Sequence, residues 1–185
     1  MKILRANDVS FERDGVALIA PFSLSLDAGD EAEVAQPNVR AASIAARICA
    51  AIVRPTHGTV YVGEYETRLQ PPQAKRLVGF VEADGFAGDA HALRCEVAFR
   101  ADVWNLEKAA AQARASELLD EIGDGPYARA IVLALVAEVA LVVLDQPAKS
   151  FVAKVRRLVP SAGVVQTLVA GAATRGRARA LAAAR

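Results

Sequence analysis

The sequence predicts an α/β fold: a mainly parallel sheet flanked by helices, opened by a small antiparallel β part and carrying a reduced helical part. Three observations carry this. From Glu31 onward, short apolar or β-branched runs alternate with helical patterns, the order that builds a parallel sheet. Leu141, Val142, Val143 and Leu144 form an unbroken apolar run, as a strand buried on both faces requires. That run ends on Asp145, and Pro147 then stops the pairing because it has no N–H to donate. The first thirty residues instead hold short strand patterns separated by turn residues, as antiparallel strands do.

Residues 3–11 have the length of a strand, and Asp14-Gly15 is a hairpin turn. Residues 16–20 are the return strand. Phe22, Leu24 and Leu26 alternate with Ser23 and Ser25, the period of a half-buried third strand. Residues 31–35 are the next strand, and Gln36, Pro37 and Asn38 a loop. From Val39 the period turns helical. Ile44, Ile48 and Ile52 recur every four residues, Arg40, Arg47 and Arg54 fall seven apart on another face, and Pro55 ends the helix. Residues 59–62 and 77–81 are strands, the second following a break at Pro71-Pro72. Residues 84–94 read as a loop. Residues 96–122 are helical in character, with a strong helix-forming run at 109–115. Gly123 to Pro126 breaks that helix, and residues 127–137 form a short one leading into the buried strand. Residues 164–170 are a final strand, and 178–185 a frayed helix.

At 185 residues the chain makes one domain, and an apolar fraction of 54% is ample for its core. No apolar run reaches the roughly 18–20 residues of a membrane span, and Asp8 follows Met1 too closely for a secretory signal. Cys49 and Cys95 are too few and too isolated for a disulfide framework or a zinc site, and both read as small buried residues of a reducing cytoplasm. The net charge of +1 hides an asymmetry, since residues 151–185 carry seven Lys or Arg and no acid. The basic tail at 175–185 lacks the aromatics that stack on bases, so it reads as a solvated helix end and nucleic acid is not an expected partner. His57 and His91 have no spaced partner and read as surface or turn residues. Asp120, Glu121 and Asp124 read as a solvated helix end, and Trp104 as packing or a wedge between subdomains.

The order of these elements resembles the ATP-binding subunit of an ABC transporter, a member of the phosphate-loop (P-loop) NTPase superfamily, over about residues 3–174. Ala28-Gly29-Asp30 matches the turn before the phosphate loop. Residues 54–62, from Arg54-Pro55 through Gly58 into a β-branched strand, resemble the stretch after the family's first helix. Residues 75–81 resemble the strand ahead of its glutamine loop, 117–123 the end of its helical subdomain, and 134–147 the helix and strand that finish on its metal-binding acid. The resemblance implies one P-loop NTPase-like domain over 1–185. Its antiparallel β part lies at about 1–30 and 56–70, its helical part at about 90–126, with the remainder as core.

The chemical positions depart from the family. Its phosphate loop needs glycines whose N–H groups wrap the phosphates, a Lys to neutralise them and a Ser or Thr for magnesium. This chain reads Gln36, Pro37, Asn38, Val39, Arg40, Ala41, Ala42, Ser43. Gln36, Val39 and Ala41 stand where the glycines would be, and Ala42 where the Lys would be. Ser43 alone keeps its type, and Arg40 is a cation out of place. The β-branched Val39 disfavours positive φ. The adenine-stacking aromatic is replaced by Arg13, and the glutamine after Val81 by Glu82-Ala83. In place of the signature segment the chain has residues 124–129, and the switch histidine falls near residues 171–173. Gln146 replaces the catalytic Glu; it can orient a water but cannot take its proton.

The resemblance therefore implies a protein like an ABC ATP-binding subunit that has lost ATP hydrolysis. It would serve as a non-catalytic subunit or scaffold of a membrane transport complex, with a weakly active ATPase as the alternative. ATP and magnesium are the implied cofactors if binding survives, with Ser43 and Asp145 as the metal pair. The implied partners are a membrane permease or a second ABC ATPase subunit, in a homo- or heterodimer. Glu82 and Asp84 lie where the family meets its membrane partner. The implied place is the cytoplasm, at the inner face of the membrane through that partner.

Overall fold

A computed structural model describes residues 1–170. The opening strand β1 (Lys2–Ser10) buries Ile3, Leu4, Ala6 and Val9 and sits inside a four-stranded antiparallel sheet. Its neighbours are β4 (Phe22–Asp27) and β6 (His57–Val62), and β7 (Tyr65–Glu66) pairs with β6. Asp8 has φ +47°, and the register of β1 shifts there against both neighbours. Asp8 holds this bulge by donating its N–H to Ser23 Oγ, which donates back to Asp8 Oδ1. Gly58 is required opposite: its φ is +81°, and a Cβ would lie 2.4 Å from the Asn7 and Asp8 carbonyl oxygens.

The hairpin at Asp14-Gly15 forms, with both residues at positive φ, the geometry of the favoured two-residue turn. It joins β2 (Glu12–Arg13) to β3 (Val16–Ala17), so the return strand expected over 16–20 is cut to two residues.

The second sheet is parallel, in the order β5-β10-β9-β8. Its strands are β5 (Glu31–Gln36), β8 (Val78–Val81), β9 (Leu141–Asp145) and β10 (Gly163–Val169). All five residues of β9 are buried, and it lies between β8 and β10. Its side chains divide two cores. Leu141 and Val143 pack with α1 (Val39–Cys49) and the antiparallel sheet. Val142 and Leu144 pack with α5 (Pro126–Leu135) and α6 (Lys149–Leu158). The small face of α1, with Ala41, Ala42, Ala45 and Ala46 buried, lets that helix lie close on β5, β9 and β10.

Several expectations are corrected. Helix α1 ends at Cys49 rather than at Pro55. Ile52 and Ala51 donate N–H groups to Arg47 and Ile48 carbonyls around Ala51 at φ +58°, a Schellman end. Ile52, expected on the buried face, is 46% exposed. Pro71-Pro72 opens a short helix, α2 (Pro71–Arg76), because proline is tolerated in a first turn. The loop expected over 84–94 gives way at α3 (Ala90–Trp104), where Asp89 accepts the Ala92 N–H at 2.8 Å as N-cap. The helical stretch to Ile122 is two helices, since Asn105 turns left-handed and Glu107 caps α4 (Lys108–Ile122). Cys95 is exposed, 3.7 Å from His91, while Cys49 is buried. Helix α6 was not anticipated. Its Lys154 and Arg156 donate to the carbonyls of Ile122 and Gly29, so these cations have structural uses. The basic tail at 175–185 lies outside the described residues.

Candidate functional site

Open parallel sheets place ligands beyond the carboxyl ends of their strands. Here that edge gathers Gln36 at the end of β5, the start of α1, Asp145 at the end of β9 with Gln146 after it, and Thr167 on β10. Only Pro37 and Asn38 separate β5 from α1.

Gln36 is the last residue of the strand, not of a loop, and is 1% exposed. Its Oε1 accepts the Ala20 N–H at 2.8 Å and its Nε2 donates to the Ala20 carbonyl at 3.1 Å. One side chain thus satisfies a backbone pair that no strand reaches. Asn38 is the N-cap of α1, accepting the Ala41 N–H at 2.9 Å, and the Ala42 N–H donates to the Asn38 carbonyl. Val39 and Arg40 are exposed in the first helical turn; Ala41 and Ala42 are buried. From Val39 to Ser43 the chain is α-helix.

Asp145 is 2% exposed. Its Oδ1 accepts the Thr167 hydroxyl at 3.0 Å and the Gln146 amide at 3.3 Å. The same amide nitrogen reaches Ser43 Oγ at 3.3 Å and the Val39 carbonyl at 3.4 Å. Gln146 holds φ at +50°, and its N–H donates to the Thr167 carbonyl. Ser43 and Asp145 are therefore brought together through Gln146, which spans from β9 to the first turns of α1. Tyr127, its ring tilted 38° against Phe151 at 5.0 Å between centroids, donates its hydroxyl to the Asp145 carbonyl at 3.3 Å. Burial, with the Asp145 charge second, holds that phenol protonated well beyond its ordinary range.

Sequence reasoning missed Thr167, which is fully buried and in register with Asp145 across β10 and β9. Its signal was the strand itself, since pairing the two apolar runs sets Thr167 beside the acid. The remaining residues stand apart. Glu82 pairs with Arg47 of α1 at 3.2 Å, with both side chains about half exposed. Arg13 is exposed on β2. Asp124 is not merely solvated: Arg129 grips it through two hydrogen bonds of 2.7 and 2.8 Å. That guanidinium, followed by the Gly125 N–H, lowers the Asp124 carboxyl below its usual value. Residues 171–173 lie outside the described part. Among the described residues, no three His, Cys, Asp or Glu side chains gather as a metal cluster.

A parallel sheet whose first strand runs into a helix at its carboxyl edge, beside an Asp-ended strand, has the architecture of the phosphate-loop NTPases. Within that class the chain has the fold of ABC transporter ATP-binding subunits. It superposes on an ATP-binding subunit of an ABC transporter with a TM-score of 0.71 and 16% identity, over 91% of this chain and 80% of that one. A subunit of the cbiONQ transporter complex of Clostridium perfringens gives 0.66 and 18%, over 90% and 78%. A dimeric ATP-binding cassette in a post-hydrolysis state with ADP and phosphate gives 0.69 and 13%, over 89% and 87%. No protein-family model and no curated protein matches the sequence. No helix among the described residues is long and apolar enough to cross a membrane.

Proposed function

We propose that this chain is a non-catalytic relative of the ABC ATP-binding subunit that serves as a structural or regulatory subunit of a membrane transport complex. It docks on a permease or pairs with a competent ATPase subunit, and through that partner sits at the inner face of the membrane. The observation that carries this reading is the state of residues 36–43. Where a phosphate loop would present free N–H groups and a Lys, this stretch is strand end, N-cap and helix. Ala42 at the Lys position is buried with no charge to offer. The Gln146 amide contacts the hydroxyl of Ser43 that magnesium would need.

ATP and magnesium fit these residues poorly. Helical N–H groups past the first turn are committed to i→i−4 bonds, and Asn38 already takes that of Ala41. Gln146 cannot accept the proton of an attacking water. A signature segment to lend to a partner's site is not matched either: in its place Arg129 holds Asp124 in an exposed turn of other chemistry. What remains is a body with the fold of the ABC ATP-binding subunits, which supports a scaffold role.

The second reading, a weakly active ATPase, is favoured only by Ser43 and Asp145 lying on either side of Gln146. Phosphate release from magnesium-ATP separates the two. The first reading expects no release above buffer, and none after Gln146→Glu. Turnover that rises in Gln146→Glu supports the second and ends the first.

A further inference from the structure

Near the amino ends of β8 and β9, away from the Asp145 crevice, a groove of about 400 Å³ opens between α2, the α3–α4 pair and the segment ahead of β9. That volume lies within the roughly 300–1,000 Å³ of small-molecule sites. Its walls come from three places: the end of α2, the end of α3 with its turn into the first half of α4, and the segment ahead of β9. Trp104, Leu106, Ala111 and Val136 give an apolar floor, and Arg76 and Arg114 supply charge.

Those charges are unevenly matched. Glu107 spends its carboxylate on the N–H groups of Ala109 and Ala110 at 2.9 and 2.6 Å, as the cap of α4. Glu138, on the rim, forms no ion pair within 4 Å among the described residues. Arg114 is fixed by Nε donating to the Leu135 carbonyl at 3.0 Å, and neither Arg76 nor Arg114 meets a carboxylate among the described residues. An anchored guanidinium with terminal nitrogens free is preorganised to receive a carboxylate in a two-pronged bond. A half-buried indole beside it receives a flat apolar body.

We infer that this groove binds a small carboxylate with an apolar, preferentially aromatic, body, through the Arg76 and Arg114 guanidinium groups and the face of Trp104. A ligand there would bridge α4 to the end of α2 and the segment ahead of β9 without touching Asp145, so the site is independent of any nucleotide chemistry.

Trp104 is the chain's one tryptophan, so its fluorescence reports on this groove alone. The test titrates the full chain with 3-phenylpropionate and, in parallel, with the uncharged isostere 3-phenylpropionamide. The expected result is a saturable change with the carboxylate and at least about tenfold weaker binding of the amide. Arg76→Gln, at an exposed helix end, should weaken the carboxylate about tenfold and leave the amide unchanged. Arg114→Lys, which keeps the charge but not the fork, should fall between. Equal affinities for acid and amide, a response that never saturates, or full-strength binding by Arg76→Gln would overturn the inference.

Discussion

Replacing Gln36 by Ala tests the idea that the end of β5 carries structure through this side chain. Gln36 is 1% exposed and closes two hydrogen bonds on Ala20. The substitution removes both and leaves a void. At about 1 kcal/mol for each hydrogen bond and about 1 kcal/mol for the void, the loss is about 3 kcal/mol. For a chain of this size, that lowers Tm by about 6–12 °C. Thermal and urea unfolding of the full chain, followed by circular dichroism, read the effect. Gln73→Ala, exposed on α2, is the control and should stay within about 0.5 kcal/mol. Gln36→Gly should be at least as damaging as Gln36→Ala. A Gln36→Ala protein melting within about 1 °C of the parent would refute the reasoning, because no buried residue with two such bonds should be that silent.

Other perturbations have equally definite outcomes. Ala51, just past the end of α1, holds φ +58°, where glycine is favoured, so Ala51→Gly should stabilise by roughly 1 kcal/mol in urea unfolding. Gly79→Ala would set a Cβ 2.5 Å from the Ala134 carbonyl oxygen; forcing β8 from α5 should cost about 1–3 kcal/mol by the same assay. A thiol reagent should label Cys95 in the native chain and Cys49 only after unfolding. Burial pushes the Cys49 thiol from an ordinary 9.0 up to about 12. Its folded value is raised, so this contribution is full below 9.0 and is lost as pH rises through the interval between the two values. The urea midpoint of the parent should therefore fall across that interval more than that of Cys49→Ala.

Where periodicity and turn chemistry agree, the sequence is a good guide to the structure. Leu141 to Leu144 reads as a doubly buried strand because a short apolar run rich in Val is closed by Asp145 and Pro147, whereas the equally apolar run Ile131–Leu135 is helix α5, and Asp14-Gly15 reads as a hairpin because both residues accept positive φ. Caps were less visible. Asn105 and Glu107 divide what composition presents as one helix, and Asp89 starts α3 inside a stretch without period. Side-chain substitutes for backbone pairing were invisible: nothing in a string shows Gln36 reaching Ala20, sixteen residues away. At the crevice, the residue types were legible, but their mutual engagement was not. The Gln146 link to Ser43 joins positions 103 apart, and Thr167 meets Asp145 only through the register of two parallel strands.

Isothermal titration calorimetry of the full chain with ATP in the presence of magnesium measures the central claim most directly. A buried Ala42, a helical Val39–Ser43 stretch and a Ser43 hydroxyl contacted by Gln146 predict no measurable heat at millimolar nucleotide. Saturable binding at micromolar nucleotide would contradict it.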